Sequence, residues 1–154
     1  MTDALGLLGF IMACMVAGAS GAVWGPGTWY ERLRKPSWRP PNWLFPPAWA
    51  VLYMMIAVSA WMIWRTRGYG PELVPWFVQL GFNFLWSFFF FGLRRPDLAF
   101  ADLACLWLSI AWTILAFAAV SEVAAWLLVP YLGWVTFAGA LNLALWRMNG
   151  SRPA

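Results

Sequence analysis

The sequence predicts an all-α membrane protein, in which residues 1–154 form a single bundle of five transmembrane helices with a structured first loop rich in proline and tryptophan. Composition is the first observation. Of the 154 residues, 63% are hydrophobic and only 10% are charged, whereas a typical soluble domain has about 45–50% apolar and about 25% charged residues. A chain of this length has too little interior to bury so many apolar side chains, and disorder requires the opposite composition. A free-standing soluble domain is therefore excluded.

The position of the charges is the second observation, because the charged residues leave five long uncharged segments between them. These segments are 19 to 27 residues long and cover 4–30, 40–64, 73–93, 103–121 and 123–146. A helix needs about 20 apolar residues to cross a bilayer, and a run such as Phe88–Phe91 lacks the alternation of a barrel strand. The predicted spans cover approximately residues 4–24, 45–64, 73–93, 98–120 and 123–146.

The Lys and Arg residues are divided unequally between the two sides of this bundle. The side that holds the N-terminus and the second loop has Arg65 and Arg67. The opposite side has Arg32, Arg34, Lys35, Arg39, Arg94, Arg95, Arg147 and Arg152. Cytoplasmic loops carry the excess of positive residues, so we expect an integral multi-pass protein with its C-terminus and first loop in the cytoplasm, in a membrane that the sequence does not specify. Topology and anionic headgroups account for the net charge of +4 without a nucleic-acid partner.

The first loop, residues 25–47, is unusually rich in proline and aromatic residues. Its prolines are Pro26, Pro36, Pro40, Pro41, Pro46 and Pro47. Proline fixes φ and restrains the residue before it, so we expect a stiff segment that is not helical before Pro46, where the second span begins. An interfacial belt would explain the aromatic residues but not the prolines. We therefore favour a folded lid over a cavity between the helices.

Four sequence motifs identify a family resemblance that runs from the first helix to about Arg147. They are WYERLRKPSWRPP at 29–41, AWAVLY at 48–53, NFLWS at 83–87 and PYLGW at 130–134. In order and spacing they resemble the TspO/MBR family, the tryptophan-rich sensory proteins and mitochondrial translocator proteins. The resemblance implies a bacterial-type five-helix bundle that forms dimers. The small residues of the first helix, among them Ala13, Ala17 and Gly21, permit close helix contact within the bundle or across such a dimer.

Polar and aromatic residues recur at helical spacing inside the predicted spans. The third span carries Gln79, Asn83 and Ser87 on one face, and these residues suit either hydrogen bonds between helices or contact with a ligand. The second span carries Trp49 and Tyr53. The fifth span carries a stripe at four-residue spacing: Trp126, Pro130, Trp134, Ala138 and Asn142. Pro130 is expected to kink that helix and to open space beside Trp134.

The resemblance implies a ligand pocket inside the bundle, beneath the first loop. The matching positions are Gly21, Trp38, Trp49, Tyr53, Asn83, Trp134, Ala138 and Leu141. Flat aromatic faces suit a porphyrin such as protoporphyrin IX. The cations of the loop suit its two propionates, and they are Arg32, Arg34, Lys35 and Arg39. The expected function is the binding of porphyrins, and of other lipophilic ligands, in tetrapyrrole transport, sensing or disposal.

Two alternative functions remain open at this stage. Some relatives are credited with light-dependent breakdown of protoporphyrin, and Trp49 and Trp134 match the tryptophans implicated there, so these two would be the catalytic residues. The other alternative is a ligand-regulated scaffold. No conventional catalytic constellation is visible, so whether the protein is an enzyme is undecided, and no cofactor beyond the porphyrin ligand is expected.

The remaining chemistry-bearing residues support simpler interpretations. Histidine is absent, which removes the commonest haem and zinc ligand, and we predict no metal site. Cys14 and Cys105 are expected to be small buried apolar residues. Asp102 lies in the opening turns of the fourth helix, where the helix dipole favours a negative charge, and we prefer that interpretation to a proton relay. The stretch 141–147, LNLALWR, lacks the tyrosine of the sterol pattern of eukaryotic relatives, so sterol binding is expected to be weak.

Overall fold

The computed structural model describes residues 2–151, and within that range every regular element is helical. The α-helices are α1 (Thr2–Val23), α2 (Thr28–Arg32), α3 (Phe45–Arg67), α4 (Val74–Ser87), α5 (Pro96–Ala118), α6 (Glu122–Leu127) and α7 (Val129–Asn149). Single 3₁₀ turns at Asn42–Leu44 and Pro71–Leu73 lead into α3 and α4, and a π-helical turn, Phe88–Gly92, extends α4. The predicted all-α fold class is confirmed.

Within residues 2–151, five helical segments are long and apolar enough to cross a membrane. They are Thr2–Val23, Asn42–Arg67, Pro71–Gly92, Pro96–Ala118 and Glu122–Asn149. Prolines stand in the first turn of α3, α4, α5 and α7, where their missing N–H costs no intrahelical hydrogen bond. The count of five spans from the charge pattern is therefore confirmed, with boundaries shifted by a few residues.

The fifth span is divided rather than kinked at its proline. α6 is capped at its N-terminus by Ser121, whose Oγ accepts a hydrogen bond from the Ala124 amide at 3.2 Å. The helix is interrupted at Leu128, and Pro130 then lies in the first turn of α7. The expected kink at Pro130 is thus a break two residues earlier, because proline is tolerated in a first helical turn and not in a helix interior.

The first loop is more helical than its prolines indicate. α2 forms at Thr28–Arg32, a stretch between Pro26 and Pro36 that contains no proline, and Asn42–Leu44 makes a 3₁₀ turn before Pro46. The expectation of no helix before Pro46 was wrong. Trp29, Tyr30 and other loop residues are buried, because α2 presents an apolar face to the bundle.

The loop residues join helix residues in a second apolar cluster, separate from the main core. This loop cluster consists of Trp29, Tyr30, Leu33, Phe90, Ala99, Leu141 and Leu145. Phe90 is at its centre and is only 1% exposed. The π turn positions it: the Leu93 amide donates to the Phe88 carbonyl at 2.8 Å, a wider turn than an α-helix allows.

Side-chain contacts fix which ends of the helices lie together. Arg65 Nη2 lies 3.3 Å from Asp3 Oδ2, and Trp61 Nε1 donates to the Asp3 carbonyl at 2.8 Å, so the start of α1 lies beside the end of α3. At the opposite end, Asn149 Oδ1 accepts from the Arg34 amide at 2.8 Å and Asn149 Nδ2 donates to the Arg34 carbonyl at 2.9 Å. These two hydrogen bonds hold the first loop against the end of α7. Which compartment each end faces stays a prediction, and Arg152 lies outside the described residues.

Candidate ligand-binding site

Four aromatic side chains from α3 and α7 form a continuous group below the first loop, which we call the central ladder: Trp49, Tyr53, Tyr131 and Trp134. Trp49 and Tyr53 are one helical turn apart and stack with ring centroids at 5.3 Å. Trp49 meets Trp134 edge to face at 6.2 Å and Tyr131 at 6.3 Å. Edge-to-face and offset pairs at these distances are favourable contacts, so α3 and α7 are joined through their aromatic residues.

A chain of hydrogen bonds crosses the bundle next to the central ladder. The Tyr53 hydroxyl donates to Asn83 Oδ1, Asn83 Nδ2 donates to the Tyr131 hydroxyl, and that hydroxyl donates to Gln79 Oε1, each at 2.7 Å. Gln79, Asn83 and Tyr131 are all buried. We call this set the polar chain. It links α3, α4 and α7, so Gln79 and Asn83 bond helices together, and their orientation holds both tyrosine hydroxyls in place.

Asn142 ties three spans together closer to the loop. Its Oδ1 accepts from Trp86 Nε1 at 3.0 Å, and its Nδ2 donates to the Pro96 carbonyl at 2.8 Å. Asn142 is 2% exposed. Both ends of its amide are hydrogen-bonded, and these bonds join α7 to α4 and α5. Within the fifth-span stripe, Asn142 therefore has a structural role.

The first loop reaches the central ladder through one intermediate ring. Trp38 packs edge to face on Phe137 at 5.9 Å, and Phe137 lies 5.8 Å from Trp134. Phe45, at the start of α3, meets Trp134 at 5.7 Å from the other side. Trp38 itself is about half exposed, so the indole covers the ladder from the outside and is not part of the core.

The four loop cations differ in whether their side chains are already bonded to other groups of the protein. Lys35 Nζ lies 4.8 Å from the centroid of the Tyr30 ring and donates to the Glu31 and Leu33 carbonyls at 3.1 Å. Partial burial, together with the nearby Arg39 charge, lowers the pKa of Lys35. Arg39 donates to Asn42 Oδ1 at 2.6 Å. Arg32 and Arg34 are exposed, so they are the loop cations with side chains open to an incoming anion.

Apart from Trp38 in the first loop, the predicted ligand residues fall into three places. Trp49, Tyr53, Asn83 and Trp134 come together in the ladder and polar chain, and half-buried Ala138 packs on the same core. Leu141 instead belongs to the loop cluster. Gly21 is on the exposed side of α1, where an added Cβ would lie 4.0 Å from Ser87 Oγ. Whether any of them contacts a ligand stays a prediction.

Sequence reasoning missed Tyr131 and misplaced part of the fifth-span stripe. Trp126 and Pro130 are exposed, whereas Tyr131 is fully buried. Residues four apart drift by about 40° per step around a helix of 3.6 residues per turn, so a long i, i+4 stripe leaves the buried face. The neighbouring polar residues Gln79 and Asn83 were the available signal, because a buried amide needs a partner.

The structure changes the expectation for one of the two cysteines. Cys14 is buried as expected, but Cys105 is exposed on the outward face of α5. In a bundle surrounded by lipid, an apolar side chain is stable on either face, so hydrophobicity did not decide its direction. An outward groove of about 280 Å³ runs between α5 and α7, and its lining includes Phe100, Trp107 and Gly139 but none of the predicted ligand residues.

The fold and this site define a class of protein: a five-span helical membrane protein with an aromatic and amide-lined centre under a structured basic loop. The TspO/MBR family model matches residues 10–147. The chain is 45% identical to the protein CrtK of Rhodobacter capsulatus over 94% of this chain and 93% of that protein. It is 40% identical to the tryptophan-rich sensory protein of Cereibacter sphaeroides (95% and 92% covered) and 39% identical to the translocator protein of Sus scrofa (94% and 90%). The chain belongs to the TspO/MBR family, and the resemblance in its sequence motifs is confirmed.

Proposed function

We propose that this chain binds protoporphyrin-type tetrapyrroles, and other flat lipophilic ligands, between α3, α4 and α7, and so acts in tetrapyrrole transport, sensing or disposal. The observation that carries the proposal is the central ladder lying directly beneath a basic, partly open loop. Three indole or phenol faces within 5.3–6.3 Å of Trp49 offer stacking surface for a macrocycle. The ligand itself is the only non-protein group that the function needs.

The loop supplies the charge for such a ligand. A protoporphyrin carries two propionates, and the exposed side chains of Arg32 and Arg34 can form charge-assisted hydrogen bonds with carboxylates. The macrocycle enters next to Trp38 as the loop lifts from Phe137, and the propionates stay at the loop while the ring moves toward Trp134. Amide and hydroxyl groups of the polar chain then form the inner limit of the pocket.

The test is a titration of protoporphyrin IX into the purified protein in detergent, followed by quenching of tryptophan fluorescence. Trp134→Ala should lower the affinity, whereas Trp126→Ala, on the same span but 63% exposed, should leave it unchanged. Equal affinity in wild type and Trp134→Ala, in proteins of equal thermal stability, would contradict the proposed pocket.

A second function, light-dependent oxidation of bound protoporphyrin, is favoured by one further observation. Trp49 and Trp134 are in edge contact at 6.2 Å, so both indoles would lie beside an excited macrocycle, with molecular oxygen as the oxidant. Illumination of the complex in air, followed by absorbance and mass spectrometry, should then give products that depend on both tryptophans. If the bound porphyrin bleaches at the same rate as free porphyrin, the oxidation function is contradicted and binding alone is supported.

We also propose the orientation and assembly that the sequence indicates. The C-terminus and first loop face the cytoplasm, and the protein forms a homodimer. A cysteine placed at Ser151 should resist an impermeant thiol reagent added outside intact cells, in a background in which Cys14 and Cys105 are replaced. Labelling of this cysteine from the outside would show the opposite orientation. A monomeric mass by light scattering in several detergents would contradict the proposed dimer.

A further inference from the structure

Asp102 is a buried carboxylate without a partner in the membrane-spanning part of the protein. It lies two turns into α5, and the residue is 6% exposed. Neither of its carboxylate oxygens has a hydrogen-bond partner among the described residues. An ionised carboxylate in such a place is costly unless it is paired. The helix dipole alone does not explain it, because the dipole favours exposed charges in the first turn.

A second unpartnered polar atom, Gln79 Nε2, is buried at a different level of the bundle. α4 continues through the π turn to Gly92, and α5 begins at Pro96 after a short link. At 1.5 Å per residue, Asp102 lies about 9 Å from the start of α5, whereas Gln79 lies about 20 Å from Gly92. The two residues are therefore not neighbours, and the Asp102 carboxyl has no side-chain partner among the described residues.

Among residues 2–151, the surroundings of Asp102 contain no cation to balance a negative charge. Of the elements packed on α5, the spanning part of α4 carries the uncharged amides of Gln79 and Asn83, and α7 carries Tyr131, which interacts electrostatically with Asp102. The other titratable residues of these elements lie at the bundle ends: Asp97, Arg95, Glu122, Arg147 and Glu72, with the phenol of Tyr53 and thiol of Cys14 beyond Asn83. The charges of Arg95 and Asp97 are already paired, at 2.5 and 2.8 Å.

We propose that Asp102 is a proton-binding site inside the bundle, a carboxyl that stays protonated and neutral because none of the described residues pairs with its oxygens. The protonated acid has one donor and retains acceptor capacity, and it places no net charge in the apolar interior. The bound ligand is a proton from solvent. This site does not require a bound porphyrin, and its electrostatic interaction with Tyr131 connects it to the polar chain.

The test is infrared spectroscopy of the purified full chain at neutral pH, which separates a carboxylic acid from a carboxylate by its C=O stretch. Wild type should show a protonated-carboxyl band that shifts in heavy water. Asp102→Asn should lose this band completely. The matched control Asp97→Asn, on the same helix, should keep it, because Asp97 is ionised in its pair with Arg95. If Asp102→Asn retains the band, or if wild type has no such band, the proposal is wrong.

Thermal melts give a second readout with a definite sign. A folded state that holds a proton which the unfolded chain releases loses stability as the pH rises. The melting temperature of wild type should therefore fall between mildly acidic and mildly alkaline pH, and that fall should be smaller in Asp102→Asn. If Asp102→Asn does not fold, Asp102→Glu retains an acid and should move the infrared band without removing it. A wild-type melting temperature that instead follows the sodium concentration would indicate a bound metal cation and overturn the proposal.

Discussion

The central ladder and the loop cluster are both rich in aromatic residues, but they differ in what their rings can do. In the ladder, both tyrosine hydroxyls are bonded to amides of α4, and Trp49 and Trp134 remain half-exposed. In the loop cluster, the fully buried Phe90 is surrounded by rings, with centroid distances of 5.0 Å to Trp86 and 5.8 Å to Trp29. Aromatic content alone therefore does not mark a ligand site. Polar partners and incomplete burial separate the candidate pocket from the packing that holds the loop.

The largest effect that this comparison predicts is on stability. Phe90→Ala should remove the centre of the loop cluster and destabilise the fold by about 3–5 kcal/mol, as for other fully buried phenylalanines. The measurement is a thermal or denaturant melt in detergent. Phe77→Ala, on the outward face of α4 and 48% exposed, is the control and should cost much less. Similar losses in the two variants would mean that the cluster does not anchor the loop.

The next effect concerns the ladder. Ala138 is half-buried and packs on the same core as Trp134, so a larger β-branched side chain there should enter the pocket or the facing helix at about 1–3 kcal/mol. Ala138→Thr should lower the affinity for protoporphyrin and leave the five-span fold intact, as measured by titration and a melt.

Ala140→Thr is the control for that variant, because Ala140 is exposed on the same helix and lines the outward groove. It should change neither affinity nor stability by a comparable amount. Equal affinities in wild type and Ala138→Thr would mean that Ala138 does not face the ligand.

The sequence predicts the spans well because the cost of charge in lipid is local and strong. Each long uncharged segment became a helix with a proline or charged residue near its end, and Asp3, Arg65 and Glu72 are at or near span boundaries. The direction in which each side chain points was harder to predict. Cys105 and Trp126 face outward although they are apolar, because lipid accepts apolar side chains as readily as the core does.

The candidate site was predictable where the spans carry few polar residues, because each buried polar side chain needs a hydrogen-bond partner. Asn83 and Tyr53 were identified from helical spacing and resemblance, and they do meet at 2.7 Å. Tyr131 and the isolation of Asp102 depend on the register between α4, α5 and α7, which Asn142 sets through bonds to two other spans. A single sequence contains no record of that register, so those two features required coordinates.

A smaller effect tests how the loop touches the ladder. Trp38 reaches the ladder through Phe137, so Trp38→Ala should weaken protoporphyrin binding by roughly one aromatic contact, about 0.5–1.5 kcal/mol. Trp43→Ala is the control in the same loop, since Trp43 is 71% exposed. Fluorescence titration of both variants is the measurement, and equal affinities for the two would place the entry route away from Trp38.

The smallest effect should come from the loop charges, and it should depend on salt. Replacing Arg32, Arg34 and Lys35 together by Gln removes cations that face solvent, of which Lys35 is already engaged with Tyr30 and two carbonyls. Interactions of exposed charges are screened over about 10 Å at 0.1 M ionic strength. Protoporphyrin affinity should therefore fall clearly at low salt and little at physiological salt. Arg65→Gln with Arg67→Gln, at the opposite end of the bundle, removes two positive charges where the triple variant removes three. This double variant is the control for net charge and should leave the affinity unchanged at both salt concentrations. A loss of the same size in the control would mean that the whole charge of the protein attracts the propionates, whereas an unchanged affinity in the triple variant at low salt would remove the loop cations from ligand capture.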